Sequence, residues 1–483
     1  MINIKTIIRI IGILLQLETI MLLLCSLVSL HYQEDDLNAF LLSAGITAIT
    51  GIILQLLGKG GDRQLNRRDG YLLVTFAWIA FSFFGMFPSY LSGYIPNITN
   101  AFFESMSGFS STGATILDNV EILPHGILFW RSMTLWIGGL GIIMFTIAIL
   151  PIFGISGLLV FAAEANGPTH DKVHPRIGIT AKWIWGLYTG ITLLLFALLM
   201  MGGMNWFDSI CHAFATSGTG GFSTKQTSIT YYHSPYIEYV ICIFMFISGI
   251  NFTLLLLFVN RKFKKFFHDS ELRFYTLLII SCTLFISIVL YYNHPSDVEG
   301  TFRKSLFQVI SLLTSTGFAT EDYTTWQPVT LGILTILMLI GASAGSTSGG
   351  IKCIRVIIMA KISRNQFKRI LHPNAVLPVR ISRQVISPSI QSTVLAFCSL
   401  YIAIIIVSTL ILISMGIGFE ESIGCAISSL GNMGPGLSDF GPAYSWNALP
   451  EAAKWLLSFL MLLGRLELFT VLLLFTPEFW KRI

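Results

Sequence analysis

Four short windows, each enclosed by two long apolar runs, limit what this chain can fold into more than any other feature. Gln308–Ala319 reads QVISLLTSTGFA, a helix-like half that runs into the small-residue turn Ser315-Thr316-Gly317. The same pattern returns in Glu104–Thr115 (ESMSGFSSTGAT), His212–Ser223 (HAFATSGTGGFS) and Cys425–Gly436 (CAISSLGNMGPG). Aligned without gaps, the windows bring Gly113, Gly221, Gly317 and Gly434 to one position, preceded by Ser111-Thr112, Thr219-Gly220, Ser315-Thr316 and Asn432-Met433. Self-similarity of this kind means one structural unit used four times.

The flanking runs are apolar over about 20 residues, the length of a helix across a bilayer. With 54% hydrophobic and only 11% charged residues among 483, the chain has the balance of a polytopic membrane protein. Ile7–Leu30 and Asn38–Leu57 read as two leading spans without a window. Then span, window and span recur: Tyr71–Tyr94 with Ile127–Leu150, Trp183–Trp206 with Tyr236–Val259, Phe274–Tyr292 with Val329–Met359, and Ile390–Ile417 with Trp455–Phe475. The expected fold is all-α, with four pseudo-symmetric span–pore-loop–span repeats around one pore plus two N-terminal spans, ten transmembrane helices in all. The divisions are 1–68 for the two-helix unit, then 69–176, 177–265, 266–384 and 385–483 for the repeats.

Charge sets the expected orientation. Loops between units are basic (Lys172, Arg176 and Lys182; Arg261, Lys262, Lys264 and Lys265; Lys352–Arg383), whereas the window sides carry Asp118, Glu121, Glu321, Asp322 and Asp439. Basic loops inside place both termini in the cytoplasm. The net charge of +5 is accounted for in this way and does not call for nucleic acid. Seven scattered cysteines without a CxxC pair suggest neither a disulfide frame nor a zinc site. No cleavable signal peptide is expected, since the first apolar run has the length of a retained span. Pro151–Ala165, apolar beyond its span, is expected at the inner interface.

A segment too short to span must enter and leave on the same side, and non-helical backbone at membrane depth survives only when buried in protein or lining water. Four such turns about one axis can offer backbone carbonyls that replace the hydration shell of K⁺ or a similar cation. Glycine fits there because no side chain blocks the axis, and each preceding helix directs its negative C-terminal end inward. With one glycine layer, fewer ion layers are expected than in longer filters. Ordinary Gly/Ser/Thr turns would explain one window, but not four in register.

Two intramembrane features argue against a permanently open pore. Gly341–Gly350, GASAGSTSGG, should interrupt the second span of the third repeat, and a broken helix at that depth belongs beside a cavity. Tight helix packing through Gly341, Gly345 and Gly349 is the alternative. The stretch fails as a phosphate loop, because Ile351 separates Gly350 from Lys352 and Cys353 stands where Ser or Thr is needed. Arg465, in MLLGRLELFT, costs about 3 kcal/mol or more at a bilayer centre and must face the bundle interior or water. It reads as a fixed positive charge beneath the filter, or as half of a pair with a carboxylate elsewhere; Glu467 lies on another helical face. His170 and His174 read as solvated loop histidines. Glu104 and His212, sharing the first window position, read as stabilisers of the pore-helix ends.

These residues resemble a known group. FFESMSGFSSTGAT (102–115), WIGGLGIIMFTIAILP (136–151), TGGFST (219–224), TSTGFATEDY (314–323), GASAGSTSGGIK (341–352), HPNAVLPVR (372–380), GNMGPGLS (431–438) and GRLELFTVLLLFTP (464–477) are similar, nearly end to end, to the bacterial potassium-uptake subunits of the Trk/Ktr superfamily, TrkH/TrkG branch. The resemblance implies a homodimer in the bacterial inner membrane with one pore per protomer, and a cytosolic ring of TrkA-type nucleotide-binding subunits on the basic face. It implies K⁺ sites at Ser111, Thr112, Gly113, Thr219, Gly220, Gly221, Ser315, Thr316, Gly317, Asn432, Met433 and Gly434. It implies a gate at Gly341, Ala342, Ser343, Ala344, Gly345, Ser346, Thr347, Ser348, Gly349, Gly350 and Lys352, faced by Arg465. No cofactor and no enzymatic activity are implied; K⁺ is cargo. Ser111 and Gly218 depart from the usual threonine or alanine, as backbone ligation permits. A Na⁺-coupled or weakly selective cation transporter of the same architecture is the competing reading. A nucleotide-using membrane enzyme would need a soluble domain that no segment here is long enough to form.

Overall fold

The apolar runs become helices because a chain in lipid must satisfy every backbone amide within its own segment. A computed structural model describes residues 2–60, 65–141, 177–293, 297–382 and 384–481. Helices α1 (Ile4–Tyr32) and α2 (Leu37–Leu57) form the leading pair. They meet through small residues: a Cβ on Gly12 would lie 2.6 Å from the carbonyl oxygen of Gly51. Gln16 and Gln55 reach across to the carbonyls of Ala48 (2.9 Å) and Gly12 (3.1 Å). Close backbones and polar ties are how helices associate without a hydrophobic driving force.

The first repeat begins with α3 (Arg67–Gly85), its start fixed by a capping box of Asn66 and Asp69, followed by α4 (Ile98–Phe109) and α5 (His125–Leu140). The second has α6 (Ile177–Met201), α7 (Trp206–Ser217), α8 (Pro235–Ser248) and α9 (Phe252–Val259). The third has α10 (Ser270–Asn293), α11 (Val298–Leu313), α12 (Pro328–Ile340) and α13 (Cys353–Leu371). The fourth has α14 (Pro388–Ser414), α15 (Phe419–Gly431), α16 (Glu451–Arg465) and α17 (Phe469–Leu472). A two-stranded hairpin, Arg380–Ile381 with Gln384–Val385, follows α13.

Among the described residues, six helices are long and apolar enough to cross a bilayer: α1, α2, α3 with its continuation to Leu91, α6 from Ala181, α10 and α14. They correspond to the two leading spans and the first span of each repeat. At most 28% of the apolar stretch of α2, α6 or α10 is buried, so Leu42, Ile49, Leu193 and Leu277 face outward. An apolar surface of that extent suits lipid and not water. Helices α4, α7, α11 and α15, of 12, 12, 16 and 13 residues, are too short to cross. Asn97, Asn205 and Asp297 cap the first three of them.

The second span of every repeat differs from the continuous helix expected for most of them. Tyr236–Val259 is two helices, α8 and α9, bent by 104°, and Trp455–Phe475 is bent by 110° after Arg465. Helix α12 stops at Ile340, and α5 stops at Leu140 beside Gly141, whose φ is 76°. Tertiary contacts impose these breaks. Asn251 caps α9 through Thr253 N (2.8 Å), and Phe252 N donates to Gly345 O (3.0 Å). Glu467, at φ 53°, leaves the helix to pair with Arg355 at 2.5 Å. The end of the expected span Ile127–Leu150, the segment Pro151–Ala165, and His170 and His174 lie outside the described residues.

Candidate ion filter and gating loop

The four short helices α4, α7, α11 and α15 end alike. The residue two before each aligned glycine is left-handed: Ser111 (φ 54°), Thr219 (51°), Ser315 (54°) and Asn432 (50°). The next amide reaches back into the helix: Thr112 N to Ser107 O (2.8 Å), Gly220 N to Ala215 O (3.0 Å), Thr316 N to Ser311 O (2.9 Å) and Met433 N to Ser428 O (3.0 Å). This is a Schellman cap, and it satisfies carbonyls that a helix end leaves open. A non-glycine residue in this region costs about 1–2 kcal/mol, and threonine, being β-branched, tolerates it least. The repetition of one strained turn at four places marks a common task.

The aligned glycines also have positive φ: 85° at Gly113, 69° at Gly221, 82° at Gly317 and 98° at Gly434. Their neighbours close a circuit in chain order. A Cβ on Gly113 would overlap the carbonyl oxygen of Gly220, one on Gly221 that of Thr316, and one on Gly317 that of Met433. One on Gly434 would fall 2.8 Å from the carbonyl oxygen of Thr112, which returns to the first window. Each glycine thus leaves room for a carbonyl of the following repeat. Side chains at the left-handed positions turn to the backing elements: Ser111 Oγ to Leu135 O (3.2 Å), Asn432 Nδ2 to Met461 O (2.9 Å) and Ser315 Oγ to Gly349 N (2.7 Å).

Behind the ring, the outer limb of each of the first three windows is tied to its own short helix. Glu104 accepts from Thr115 Oγ1 (3.0 Å) and Ile116 N (3.0 Å), and is paired with Arg131 at 2.8 Å, both side chains 4% exposed. His212 Nε2 meets Ser223 Oγ at 3.0 Å, and Gln308 Nε2 donates to Glu321 O (3.1 Å). Glu104→Leu, which leaves Arg131 buried without its carboxylate, is expected to cost about 3–5 kcal/mol. Thermal unfolding in detergent checks this, and Glu104→Gln, retaining an acceptor, should lose less than half as much.

The predicted gate residues form the non-helical link between α12 and α13. Gly341, Gly345, Gly350 and Lys352 have φ of 72°, 72°, 80° and 80°. Ala342 O accepts from Cys353 N (2.9 Å), closing the base of the loop. Ser343 N donates to Gly249 O (3.1 Å), and Thr347 Oγ1 to Ser248 O (3.3 Å), which fastens the loop to the break in repeat 2. Ser346 bonds Ser343 O (2.6 Å) and Ser348 Oγ (2.9 Å), while Lys352 Nζ turns onto Ser348 O. Ala344 N donates to Glu271 Oε1 (2.8 Å). A Cβ on Gly349 would overlap Gly431 O at the end of α15. Arg465 Nη1 donates to Thr347 O (2.8 Å), and its Nη2 to Gly139 O (2.5 Å) and Gly138 O. One guanidinium therefore joins the loop of repeat 3 to the break of repeat 1.

A family model described as TrkH, cation transport protein, matches residues 36–482 and so takes in all four windows and the loop. The chain belongs to the TrkH family. The Trk system potassium uptake protein TrkH of Escherichia coli K12 is 38% identical over 99% of both chains. That of Halomonas elongata is 35% identical over 99% of this chain and 100% of its own. The crystal structure of the potassium transporter TrkH from Vibrio parahaemolyticus superposes with a TM-score of 0.89 at 33% identity, covering 99% of this chain and 100% of that one. This TrkH-family chain is accordingly a membrane transport protein and not an enzyme. Sequence reasoning passed over several residues at its site. Arg131 and Glu271 are two of them; a lone charge in an apolar run was the available signal for Arg131, whereas Glu271 stands between Asp269 and Arg273 ahead of its apolar run. Arg355 lay among basic residues that positive-inside topology already explained.

Proposed function

We propose that this chain carries K⁺ into a bacterial cell across the inner membrane, through the ring of four glycine windows. The observation that carries the reading is the closed circuit in which each window glycine gives way to a carbonyl of the next repeat. Carbonyl oxygens from four sides can replace the hydration shell of K⁺, and four pore-helix C-termini favour a cation at that point. The ion-contacting groups are the backbone of residues 111–113, 219–221, 315–317 and 432–434.

The loop 341–352 acts as the gate and Arg465 as its anchor. Support comes from the ties of the loop to Ser315 and to Arg465, which couple it to the filter of its own repeat and to the fourth. Both termini lie in the cytoplasm, as basic flanks require. Two such chains form a dimer, and a TrkA-type nucleotide-binding ring docks on the basic face that carries Lys361, Arg364, Lys368 and Arg369 of α13. The test is parallel uptake of Rb⁺, as K⁺ surrogate, and Na⁺ into proteoliposomes holding only this chain, then with an added TrkA-type ring. Uptake favouring Rb⁺ in either condition fits the reading. Equal uptake of both ions would favour the weakly selective transporter, and silence in both conditions would oppose the channel.

A further inference from the structure

Glu271 stands in the first turn of α10, buried at 6% exposure, and touches neither the ring nor Arg465. Its Oε1 accepts two backbone amides, Ala344 N at 2.8 Å and Ile354 N at 3.0 Å. Ala344 is on the limb leaving α12, and Ile354 is the second residue of α13, so one carboxylate oxygen grips the loop on both sides of its tip.

The need for such a group follows from the local chain. Lys352, the residue before α13, has φ 80° and supplies no side-chain cap, so the first amides of that 19-residue helix require an acceptor from elsewhere. An anion at a helix start is further favoured by the helix dipole, and hydrogen bonds to an ionised acceptor are about twice as strong as neutral ones. The other ties of the loop to repeat 2 and to the third window, at Gly249 O, Ser248 O, Phe252 N and Ser315 Oγ, are neutral.

We propose that Glu271 is the latch of the loop, a positioning residue that holds both limbs in place and must release them before the loop can move aside. The proposal rests on reading 341–352 as the gate, and the experiment separates the two. Full-length protein in lipid nanodiscs is followed by hydrogen–deuterium exchange of peptides covering 341–355, and the same variants are assayed for Rb⁺ uptake in proteoliposomes. Glu271→Ala is expected to speed exchange in these peptides on the order of 10- to 100-fold, the loss of bonds to a charged acceptor. Peptides of α1 and α2 should stay at their wild-type rates, and Rb⁺ uptake should rise several-fold. Glu271→Gln, which keeps an oxygen acceptor, should restore most of the protection. Glu271→Asp keeps the charge, shortens the reach, and should speed exchange several-fold. Wild-type protection of 341–355 in both the Ala and Asp variants would overturn the latch. Faster exchange with unchanged uptake would support the latch and remove the gate reading instead.

Discussion

Gly317→Ser is expected to lower the ratio of K⁺ to Na⁺ uptake by at least about tenfold, equivalent to about 1.4 kcal/mol of lost discrimination. Two physical effects act together. The backbone there has φ 82°, a region that costs a residue with a side chain about 1–2 kcal/mol. The new Cβ would also overlap Met433 O and come within 2.8 Å of Pro435 Cδ. Neither neighbour is the free end of a flexible side chain, so the carbonyl of the fourth window must move. A carbonyl displaced from the axis ligates K⁺ less well, and selectivity falls before conduction does. Gly190→Ser on α6, where nothing lies within 4 Å of the added carbon, is the control and should leave the ratio unchanged. Paired Rb⁺ and Na⁺ uptake by the two variants checks this; an unaltered ratio in Gly317→Ser would count against any filter role for the window.

Arg465→Ala is expected to raise K⁺ uptake, on the order of tenfold. The guanidinium donates to Thr347 O in the loop and to Gly138 O and Gly139 O at the broken end of α5. Bonds from a charged donor contribute about 1.5–3 kcal/mol each, so its loss frees the loop from a charge-assisted tie to the fourth repeat. The same change removes a positive charge that opposes a cation below the filter. Arg465→Lys keeps the charge without the planar fork that reaches several carbonyls, and should give an intermediate rise. Reduced uptake in Arg465→Ala, with normal expression, would mean that the arginine only holds the fold together.

The four windows were readable because their signal is local: a helix-forming half, a small-residue turn and a glycine, all between apolar runs. The interruption at Gly341 was readable for the same reason. The bends at Gly249–Asn251 and after Arg465 were not. Around Arg465 the run MLLGRLELFT has the hydropathy of a continuous helix, and what ends it is distant chain: Thr347, Gly138 and Gly139 drawing on Arg465, and Arg355 drawing on Glu467. Such tertiary override leaves only indirect traces, here an Asn placed as a cap in SGINF and an acid two residues beyond an arginine in an apolar run. The partnership of Arg131 with Glu104 could have been proposed from two unpaired charges in one repeat, whereas the clasp of Glu271 on two backbone amides carries no sequence signature. Backbone amides look alike at every position.

The most direct test of the account is diffraction from crystals of this chain soaked in Rb⁺, recorded at the Rb absorption edge. The account predicts anomalous density on the axis enclosed by Gly113, Gly221, Gly317 and Gly434, reduced by competing K⁺ and lost in Gly317→Ser. Rb⁺ density confined to acidic side chains elsewhere, with none within the ring, would contradict it.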